Sequence, residues 1–260
     1  MNSYSFRPAR VSDAPAIHRI ALKEAGSAVL SISVLRSQRF ADYAEALIES
    51  ASFADSRFWV CEHLTLGVIG VAETKLTLES LVLNHIYIDD RHQNRRLGVQ
   101  LLLFALLEHG SRQLVELDVS SDNPHAARWY EHLGFERTGQ MYWFPVNTAE
   151  LSGEDGTDWA ILGYPAAKAC HNVFGFSQVT LQTTAGSYSI GRIDSILRIP
   201  DSSILNDAVA LGALKQVAPN SVAYLRTDSP SFASRQNALC FLRLSGSVSI
   251  IKERLLDKQT

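Results

Sequence analysis

The sequence lacks the long apolar runs and the cysteine pairs that would place it in several protein classes. No apolar stretch approaches the ~20 residues of a transmembrane helix, and the N-terminus has no basic segment followed by an apolar one. We therefore expect no membrane partner and a cytoplasmic location. The cysteines Cys61, Cys170 and Cys240 are odd in number and far apart, and the eight histidines have no ligand spacing. This pattern argues against a disulfide framework and predicts no metal.

A strong charge of one sign is also missing. The formal net charge is −3, with 14 basic and 21 acidic residues through Tyr164 and 10 and 6 afterwards. The acidic first part favours a cationic amine over nucleic acid as a partner, and the basic tail contains no run of Lys or Arg. At 260 residues and 46% hydrophobic, the chain is typical of a globular protein of one or two domains.

What the sequence does contain is a buried strand, a polar loop and an apolar helix in succession over Leu83–Leu103, LNHIYIDDRHQNRRLGVQLLL. A helix beginning near Leu97 turns free backbone N–H groups and the positive end of its dipole toward the loop, which favours phosphate binding. Gly98 lets a ligand approach the backbone closely. Arginine side chains at positions 91, 95 and 96 add guanidinium groups, which can bind phosphate oxygens. An ordinary strand-to-helix turn with a solvated basic loop is the alternative interpretation.

A second motif is a short helix with its own start and stop signals, from Asn123 to Phe135. Asn123 can cap the helix, Pro124 suits its first turn, and Gly134 suits the left-handed position after its end. Tyr130 lies on its apolar face. Taken alone, this tyrosine is interpreted as half-buried core.

Both segments resemble the GCN5-related N-acetyltransferase (GNAT) family. Ile88, Gln93 and Gly98 fall on its acyl-CoA motif, whereas Asp90 stands where proline is usual and Arg96 where the first glycine is usual. The segment from Asn123 to Phe135 matches the spacing Asn-x-x-Ala-x-x-Leu-Tyr-x-x-x-Gly-Phe, with Trp129 before the tyrosine. The match covers roughly Tyr4 to Tyr164.

The resemblance implies acetyl-CoA as cosubstrate, held where the fourth and fifth strands splay apart. It also implies that Tyr130 hydrogen-bonds or protonates the CoA sulfur. The coenzyme contacts that it implies are Ile86, Tyr87, Ile88, Gln93, Asn94, Arg95, Arg96, Leu97, Gly98, Val99, Asn123 and Tyr130.

The general base is left open, because family members use different residues, commonly on the fourth strand. Asn84, His85 and Glu79 are candidates, with Tyr87, Asp118 and Ser120 behind them. Strand alternation puts Asn84 and His85 on opposite faces unless a bulge intervenes. A histidine on a strand is more often a structural hydrogen-bond partner than a base.

For residues 1–164 these observations predict an α+β GNAT fold, a mixed and mostly antiparallel central sheet flanked by helices. Ser12 is a plausible cap for the first helix. A second helix is predicted over Gln38 to Ser50. Strands two to five are predicted at Arg57 to Glu62, Leu66 to Thr74, Leu81 to Ile88 and Gln113 to Val119. The segments Arg137 to Val146 and Asp158 to Tyr164 are predicted as a final antiparallel pair.

Residues 165–260 are predicted to form a smaller α+β domain after a joint at PAAKAC. Its predicted helices are Ser203 to Val217 and a stretch near Ser231 to Ala238. Its predicted strands are Phe176 to Thr183, Tyr188 to Ile199, Ser221 to Arg226, Cys240 to Leu244 and Val248 to Arg254. A degenerate half-GNAT repeat and an unrelated appendage both remain open, and no second coenzyme motif is present.

The function predicted from the resemblance is transfer of an acetyl group from acetyl-CoA to a primary amine by direct attack. The competing hypothesis is a non-catalytic acyl-CoA-binding or regulatory protein with a degenerate site. A longer acyl group and a homodimer are further open alternatives. The amine itself, whether a small molecule or a peptide, has no diagnostic motif.

Overall fold

A computed structural model describes residues 3–109, 112–154, 156–229, 231 and 237–258 of the chain. The strands are β1 (Tyr4–Pro8), β2 (Ser56–His63), β3 (Gly67–Leu76), β4 (Ser80–Ile88), β5 (Leu114–Ser120), β6 (Glu136–Asn147), β7 (Trp159–Leu162), β8 (Phe176–Thr183), β9 (Ser187–Ile193), β10 (Ile196–Ile199), β11 (Val222–Thr227) and β12 (Leu239–Ser247). The α-helices are α1 (Ala14–Glu24), α2 (Ser27–Ile32), α3 (Phe40–Glu49), α4 (Leu97–Glu108), α5 (Pro124–His132), α6 (Tyr164–Phe174), α7 (Ala208–Val217) and α8 (Val248–Asp257).

The chain divides into two compact units whose limits differ from a simple cut in the sequence. Unit 1 comprises Met1–Leu30, Phe40–Gly139 and Leu242–Thr260, and unit 2 comprises Ser31–Arg39 and Gln140–Phe241. The division at residues 1–164 and 165–260 stays a prediction about domains. The compact units instead assign the end of the chain to unit 1 and most of β6 to unit 2.

Unit 1 is built on a sheet with helices on both faces. Its strand order is β1-β2-β3-β4-β5-β12, with the first residues of β6 beside β12. The strands are antiparallel from β1 to β4 and parallel between β4 and β5. Neighbouring residues of a strand point to opposite faces, and here Phe58 meets Phe40 of α3 whereas Trp59 meets Phe104 of α4. Helix α4 is buried on nearly all sides, as its apolar sequence predicts.

Unit 2 repeats the plan of unit 1 with shorter elements. A strand and a helix (β7, α6) precede the antiparallel strands β8, β9 and β10, and helix α7 then leads to β11, which is parallel to β10. The corresponding order in unit 1 is β1, helices, β2, β3, β4, α4 and β5. A separate core formed by Leu181, Ile199, Leu214 and Leu225, among others, stabilises unit 2. Of the two predicted alternatives, the topology supports the repeat.

The predicted hairpin of β6 with β7 is wrong. Strand β7 pairs antiparallel with β8, and β6 pairs antiparallel with β11. An alternating pattern predicts a strand but not its partner, and adjacency in sequence favoured the wrong one. In unit 1 the place between β5 and β6 is taken by β12, from the far end of the chain.

Other corrections concern local structure in the last hundred residues. The predicted strand Val248 to Arg254 is part of helix α8, whose buried residues Val248, Ile251 and Leu255 have helical spacing. The predicted strand Tyr188 to Ile199 is divided by a turn at Asp194, with φ 50°, a conformation that Asp tolerates. The predicted joint PAAKAC belongs to α6, which lies between Gly163 and Gly175.

Two further predictions need comment. Asp13 rather than Ser12 is the N-cap residue of α1, but its side chain does not cap the helix. Its carboxylate instead pairs with Arg7 at 2.7 Å and accepts the N–H of Arg10. The helix predicted near Ser231 to Ala238 lies largely outside the described residues. In the part of the chain that is described, no helix has the length and hydropathy needed to cross a bilayer.

Candidate active site

The strands β4 and β5 pair only at their beginnings. Ser80 to Val82 of β4 are hydrogen-bonded in parallel to Leu114 to Glu116 of β5, and among the described residues no pairing between them continues to Ile88. On its other side β4 stays paired with β3 as far as Ile88. The two strands therefore open a cleft with main-chain N–H and C=O groups of β4 along it, as the family resemblance implies.

The loop after β4 is preorganised for an anion. Asn94 and Arg96 both adopt left-handed backbone conformations, with φ of 61° and 60°, and alternating conformations of this kind turn successive N–H groups to one side. Arg96 is the N-cap of α4 but gives it no side-chain cap, and the N–H groups of its first turn point outward. A glycine is usual at position 96 because this conformation strains a residue with a Cβ.

The three predicted phosphate-binding arginines are in different situations. Arg91 is paired with Asp89, whose pKa the Arg91 guanidinium lowers, and Arg95 donates to the Tyr4 hydroxyl at 2.9 Å. Arg96 is exposed, and among the described residues its side chain has no partner. The Gln93 amide donates to the Ile88 carbonyl and to Glu24, both at 3.0 Å. Arg96 thus keeps its charge for a ligand, and Gln93 braces the loop.

Helix α5 forms the other wall. The Asn123 side chain accepts the N–H of Ala126 at 3.0 Å and so caps the helix as predicted, and Gly134 has φ +93°. A Cβ at Gly98 would lie 3.9 Å from both Ile88 and Trp129. The start of α4, the end of β4 and helix α5 therefore meet around Gly98.

Tyr130 is buried beside this junction. Its ring packs against Trp129 and Phe135, with centroid distances of 4.8 and 5.4 Å. Burial, and next the proximity of Tyr87, raises the pKa of Tyr130 above its ordinary value. The phenol is therefore protonated at neutral pH and can donate a hydrogen bond.

A bulge in β4 brings together three polar side chains that strict alternation would separate. His85 faces Glu73 of β3, but Leu83 faces Thr74, so Asn84 is the extra residue. The Asn84 amide donates to Glu73 Oε1 at 3.1 Å, and His85 Nε2 lies 3.6 Å from Glu73 Oε2. Asn84 is exposed, whereas Glu73 is 6% exposed. The bulge thus connects a surface amide to a buried carboxyl group.

Glu73 is the functional candidate that the sequence reasoning missed. Burial raises its pKa to about 7, although hydrogen bonds from Asn84 and Ser56 act in the other direction. A group of this pKa can accept a proton at neutral pH. The available signal was a carboxylate in the middle of an otherwise apolar strand, GVIGVAETKL.

The other base candidates are less suited to that role. Burial lowers the pKa of His85 to about 4, so its imidazole is neutral at pH 7, and it stacks on Tyr87. Asp118 is paired with Arg243 at 3.0 Å, and Ser120 is buried. Glu79 lies in the turn before β4, at the far end of the strand from the open cleft.

The corresponding place in unit 2 is closed. Asp207 caps α7, accepting the N–H of Ala210 at 3.0 Å and the Thr183 hydroxyl at 2.6 Å. A Cβ on Gly153 would lie 2.1 Å from the backbone nitrogen of Gly212, and the N–H of Glu154 donates to Ala208. The backbone at Gly153 and Glu154 and the Asp207 carboxylate therefore occupy the space at the start of α7 where an anion would bind.

Comparisons with known proteins agree with this geometry. Residues 54–137 match the family model of the acetyltransferase (GNAT) domain. A tandem GNAT protein from the clavulanic acid biosynthesis pathway, solved without AcCoA, is 11% identical with a TM-score of 0.62, over 94% of this chain and 98% of its own. A search among curated proteins gave no match.

Two further solved structures are similar over nearly all of this chain. A GCN5-related N-acetyltransferase from Sphaerobacter thermophilus is 12% identical, with a TM-score of 0.59 over 95% of this chain and 96% of its own. One from Kribbella flavida is also 12% identical, with a TM-score of 0.54 over 94% and 71%. The predicted family resemblance and α+β fold are confirmed, and the likeness to a tandem protein agrees with the repeat seen in unit 2.

Proposed function

We propose, on the premise that this chain carries a GNAT acetyltransferase domain, that unit 1 transfers an acetyl group from acetyl-CoA to a primary amine. The observation that carries the proposal is the open cleft between β4 and β5, which ends at the unpaired N–H groups of α4. One acyl-CoA molecule can occupy both parts, because its long thioester-bearing arm fits the cleft and its diphosphate fits the free amides.

Coenzyme binding is assigned to main-chain groups first. The N–H groups of Leu97, Gly98 and Val99, with those of the loop before them, would hold the diphosphate, and exposed Arg96 would add a charge-assisted contact. The unpaired edge of β4 from Ile86 to Ile88 would bind the pantetheine arm and the thioester carbonyl. Asn123 has its amide NH₂ group left for the cofactor, because its oxygen caps α5.

The amine must lose a proton before it can attack. A lysine-like amine has a pKa near ~10.4, so only about one molecule in a few thousand is neutral at pH 7. Glu73, whose pKa is about 7, is the assigned proton acceptor. Because Glu73 itself is buried, water would carry the proton to it, while the Asn84 amide donates to its Oε1 and holds the carboxylate in place. The nitrogen then forms a bond to the acetyl carbon, the carbon–sulfur bond breaks, and the electron pair leaves with sulfur. No covalent enzyme intermediate is required.

Tyr130 is assigned to the leaving sulfur. Its raised pKa lies well above the ~8.5 of a thiol, so a thiolate would not take the phenolic proton outright. A hydrogen bond from Tyr130 would stabilise the thiolate, and the proton released by the attacking amine would finally protonate it. Of the two roles implied by the resemblance, the electrostatics favour hydrogen bonding over proton donation.

The competing function is an acyl-CoA-binding protein without turnover. The observation in its favour is Arg96, which strains the loop at a position where the family usually has glycine. The binding assignments are the same in both cases, and only the use of Glu73 and Tyr130 differs.

Two measurements on the full chain test the proposal. Isothermal titration with acetyl-CoA should give saturable binding. Gly98→Asp should weaken it at least tenfold, which is ~1.4 kcal/mol or more of binding free energy, because the new carboxylate repels the diphosphate. Thiol release should then appear with at least one member of an amine panel. Binding without thiol release from any amine would favour the competing function, and absence of binding would exclude both.

A further inference from the structure

Helix α1 ends beside the coenzyme loop, which we define as residues 89–96 between β4 and α4. The last residue of this helix is Glu24, whose side chain is 12% exposed. The face of α1 that bears Ile17, Ile20 and Ala21 is buried, and the helix packs against β3 and β4. This packing fixes the position of Glu24 relative to the end of β4.

The Glu24 carboxylate spans the first turn of the coenzyme loop. Its Oε1 accepts the backbone N–H of Asp90 at 3.0 Å, and its Oε2 accepts the side-chain amide of Gln93, also at 3.0 Å. Asp90 begins the short helical turn of the loop, and Gln93 directly follows that turn. One carboxylate therefore holds both ends of the turn through two charge-assisted hydrogen bonds.

Gln93 extends this connection to the sheet. A glutamine amide has two hydrogens to donate. The Gln93 amide donates to Glu24 and also to the Ile88 carbonyl at 3.0 Å. Both donors are therefore engaged within unit 1, and Gln93 links the end of α1 to the last residue of β4.

The charge of Glu24 has the same sign as the ligand proposed for this loop. A carboxylate beside a diphosphate site opposes binding by simple electrostatics. Lys23 offsets part of this charge, because its Nζ lies 3.3 Å from Glu24 Oε1 and 3.6 Å from the buried carboxylate of Asp89. An acidic side chain here is explained by the two hydrogen bonds that it accepts rather than by attraction to the ligand.

The residues that follow the turn need support from outside the loop. Asn94 and Arg96 have φ of 61° and 60°, a conformation that asparagine tolerates but that strains arginine. A loop free to leave this conformation would have to regain it on binding, which lowers affinity. Fixing residues 90–93 from α1 limits that freedom directly before the strained stretch.

We propose that Glu24 is a positioning residue for coenzyme binding, which holds the turn at residues 90–93 and so keeps the backbone amides after it in the conformation that binds the diphosphate. It acts through Asp90 and Gln93 and makes no contact with the coenzyme. The inference rests on the proposed acetyl-CoA site, which both candidate functions share.

Removal of the Glu24 carboxylate separates positioning from charge, because the two predict opposite signs. If only charge mattered, Glu24→Ala would strengthen acetyl-CoA binding. Positioning predicts that Glu24→Ala weakens it about tenfold, since two charge-assisted bonds to the loop are lost. Glu24→Gln keeps one acceptor oxygen and should weaken binding less. Titration calorimetry on the full chain measures these affinities. Glu45→Ala, at an exposed carboxylate on α3, is the matched control and should leave binding unchanged.

Hydrogen exchange of the coenzyme loop provides a second readout. Without coenzyme, the amides of residues 90–96 should exchange faster in Glu24→Ala than in the wild type, and saturation with acetyl-CoA should remove the difference. Thermal melts should show the variants folded, and the isosteric Glu24→Gln carries the same test of sign if the alanine variant does not fold.

The outcomes separate this inference from the proposed function. Acetyl-CoA binding by the Glu24 variants as tight as that of the wild type, or tighter, would overturn the inference, and so would equal exchange of the free loop. Absence of acetyl-CoA binding by the wild type would instead overturn the proposed function.

Discussion

Helices α4 and α7 occupy the same place in two copies of one topology, yet their N-termini are treated differently. In unit 1 the N-cap is Arg96, which offers no side-chain cap and leaves the amides open. In unit 2 the N-cap is Asp207, a buried carboxylate that accepts a bond from Ala210. An internal anion thus takes the position that an external one would occupy in unit 1.

The two parallel strand pairs, β4 with β5 in unit 1 and β10 with β11 in unit 2, also differ in how far they are open. Three residue pairs join β4 to β5, and the remaining six residues of β4 run free of β5, whereas all four residues of β10 pair with β11. The comparison teaches that topology alone does not make this site. A coenzyme site of this kind needs both an uncapped helix N-terminus and a strand that extends beyond its pairing with the neighbouring strand. Among the described residues, only unit 1 has both.

The largest expected effect tests whether unit 1 can exist without the end of the chain. Truncation after Phe241 removes all but the first three residues of β12 and the whole of α8, including Leu244, Val248, Ile251 and Leu255, each at most 6% exposed. At roughly 2 kcal/mol for each buried side chain, the loss is about 8 kcal/mol, comparable to the whole stability of a domain. Circular dichroism should show loss of cooperative unfolding. A chain ending at Asp257 should melt like the full chain, and normal melting of the shorter one would refute the assignment of β12 to unit 1.

Glu73→Gln should separate the catalytic role of unit 1 from its folding. We expect turnover to fall about 10²- to 10⁴-fold, the usual contribution of a general base, with unchanged affinity for acetyl-CoA. In the wild type, activity should rise with pH through an apparent pKa near 7. Thiol-release assays across pH 5–9 measure both, and an active Glu73→Gln with an unchanged profile would remove Glu73 from the mechanism.

The same substitution has a stability signature. A carboxyl whose pKa is raised from 4.5 to about 7 on folding binds more protons in the native state. Its contribution is therefore present below pH 4.5 and lost as the pH rises to 7, a change of about 3 kcal/mol. Urea unfolding at pH 8 should accordingly find Glu73→Gln more stable than the wild type, and the difference should vanish toward pH 4.

Asp207→Ala should affect unit 2 alone. The side chain caps α7 and accepts bonds from Thr183 and Tyr188, which hold its pKa below the ordinary value although burial acts to raise it. Loss of the cap and of these bonds should lower the free energy of unfolding by about 2 kcal/mol. Acetyl-CoA affinity measured by titration should not change. If Asp207→Ala created a second coenzyme site, the Asp207 carboxylate alone would be what blocks anion binding in unit 2. The close approach of Gly153 to Gly212 would then not contribute.

Arg96→Gly should have the smallest effect. It relieves a left-handed conformation at φ 60° and should stabilise the protein by about 1 kcal/mol, while the lost charge weakens acetyl-CoA binding by less than tenfold. Asn220→Gly, at φ 57° in unit 2, is the matched control and should gain less because Asn tolerates this conformation. If thermal melts showed a larger rise in melting temperature for Asn220→Gly than for Arg96→Gly, the proposed backbone strain at Arg96 would be contradicted.

Sequence reasoning succeeded where the signal is local. Helix α4 begins at Leu97 as predicted, and the Asn123 cap and the left-handed Gly134 follow from a few neighbouring residues. It failed where the partner is remote. The pairing of β6 with β11 depends on residues more than seventy positions away. Glu73 acquires its environment only through the bulge at Asn84 on the next strand, which no period-2 pattern predicts.

The position of β12 between β5 and β6 bears on how the chain is made. A ribosome delivers β1 to β5 long before residues 242–257 emerge, so the early strands must wait with one edge uncovered while more than a hundred further residues are synthesised. Contacts so distant along the chain slow folding, and exposed strand edges invite aggregation. Completion of unit 1 therefore waits until residues 242–257 have been synthesised, and chaperone dependence should be greatest before they emerge.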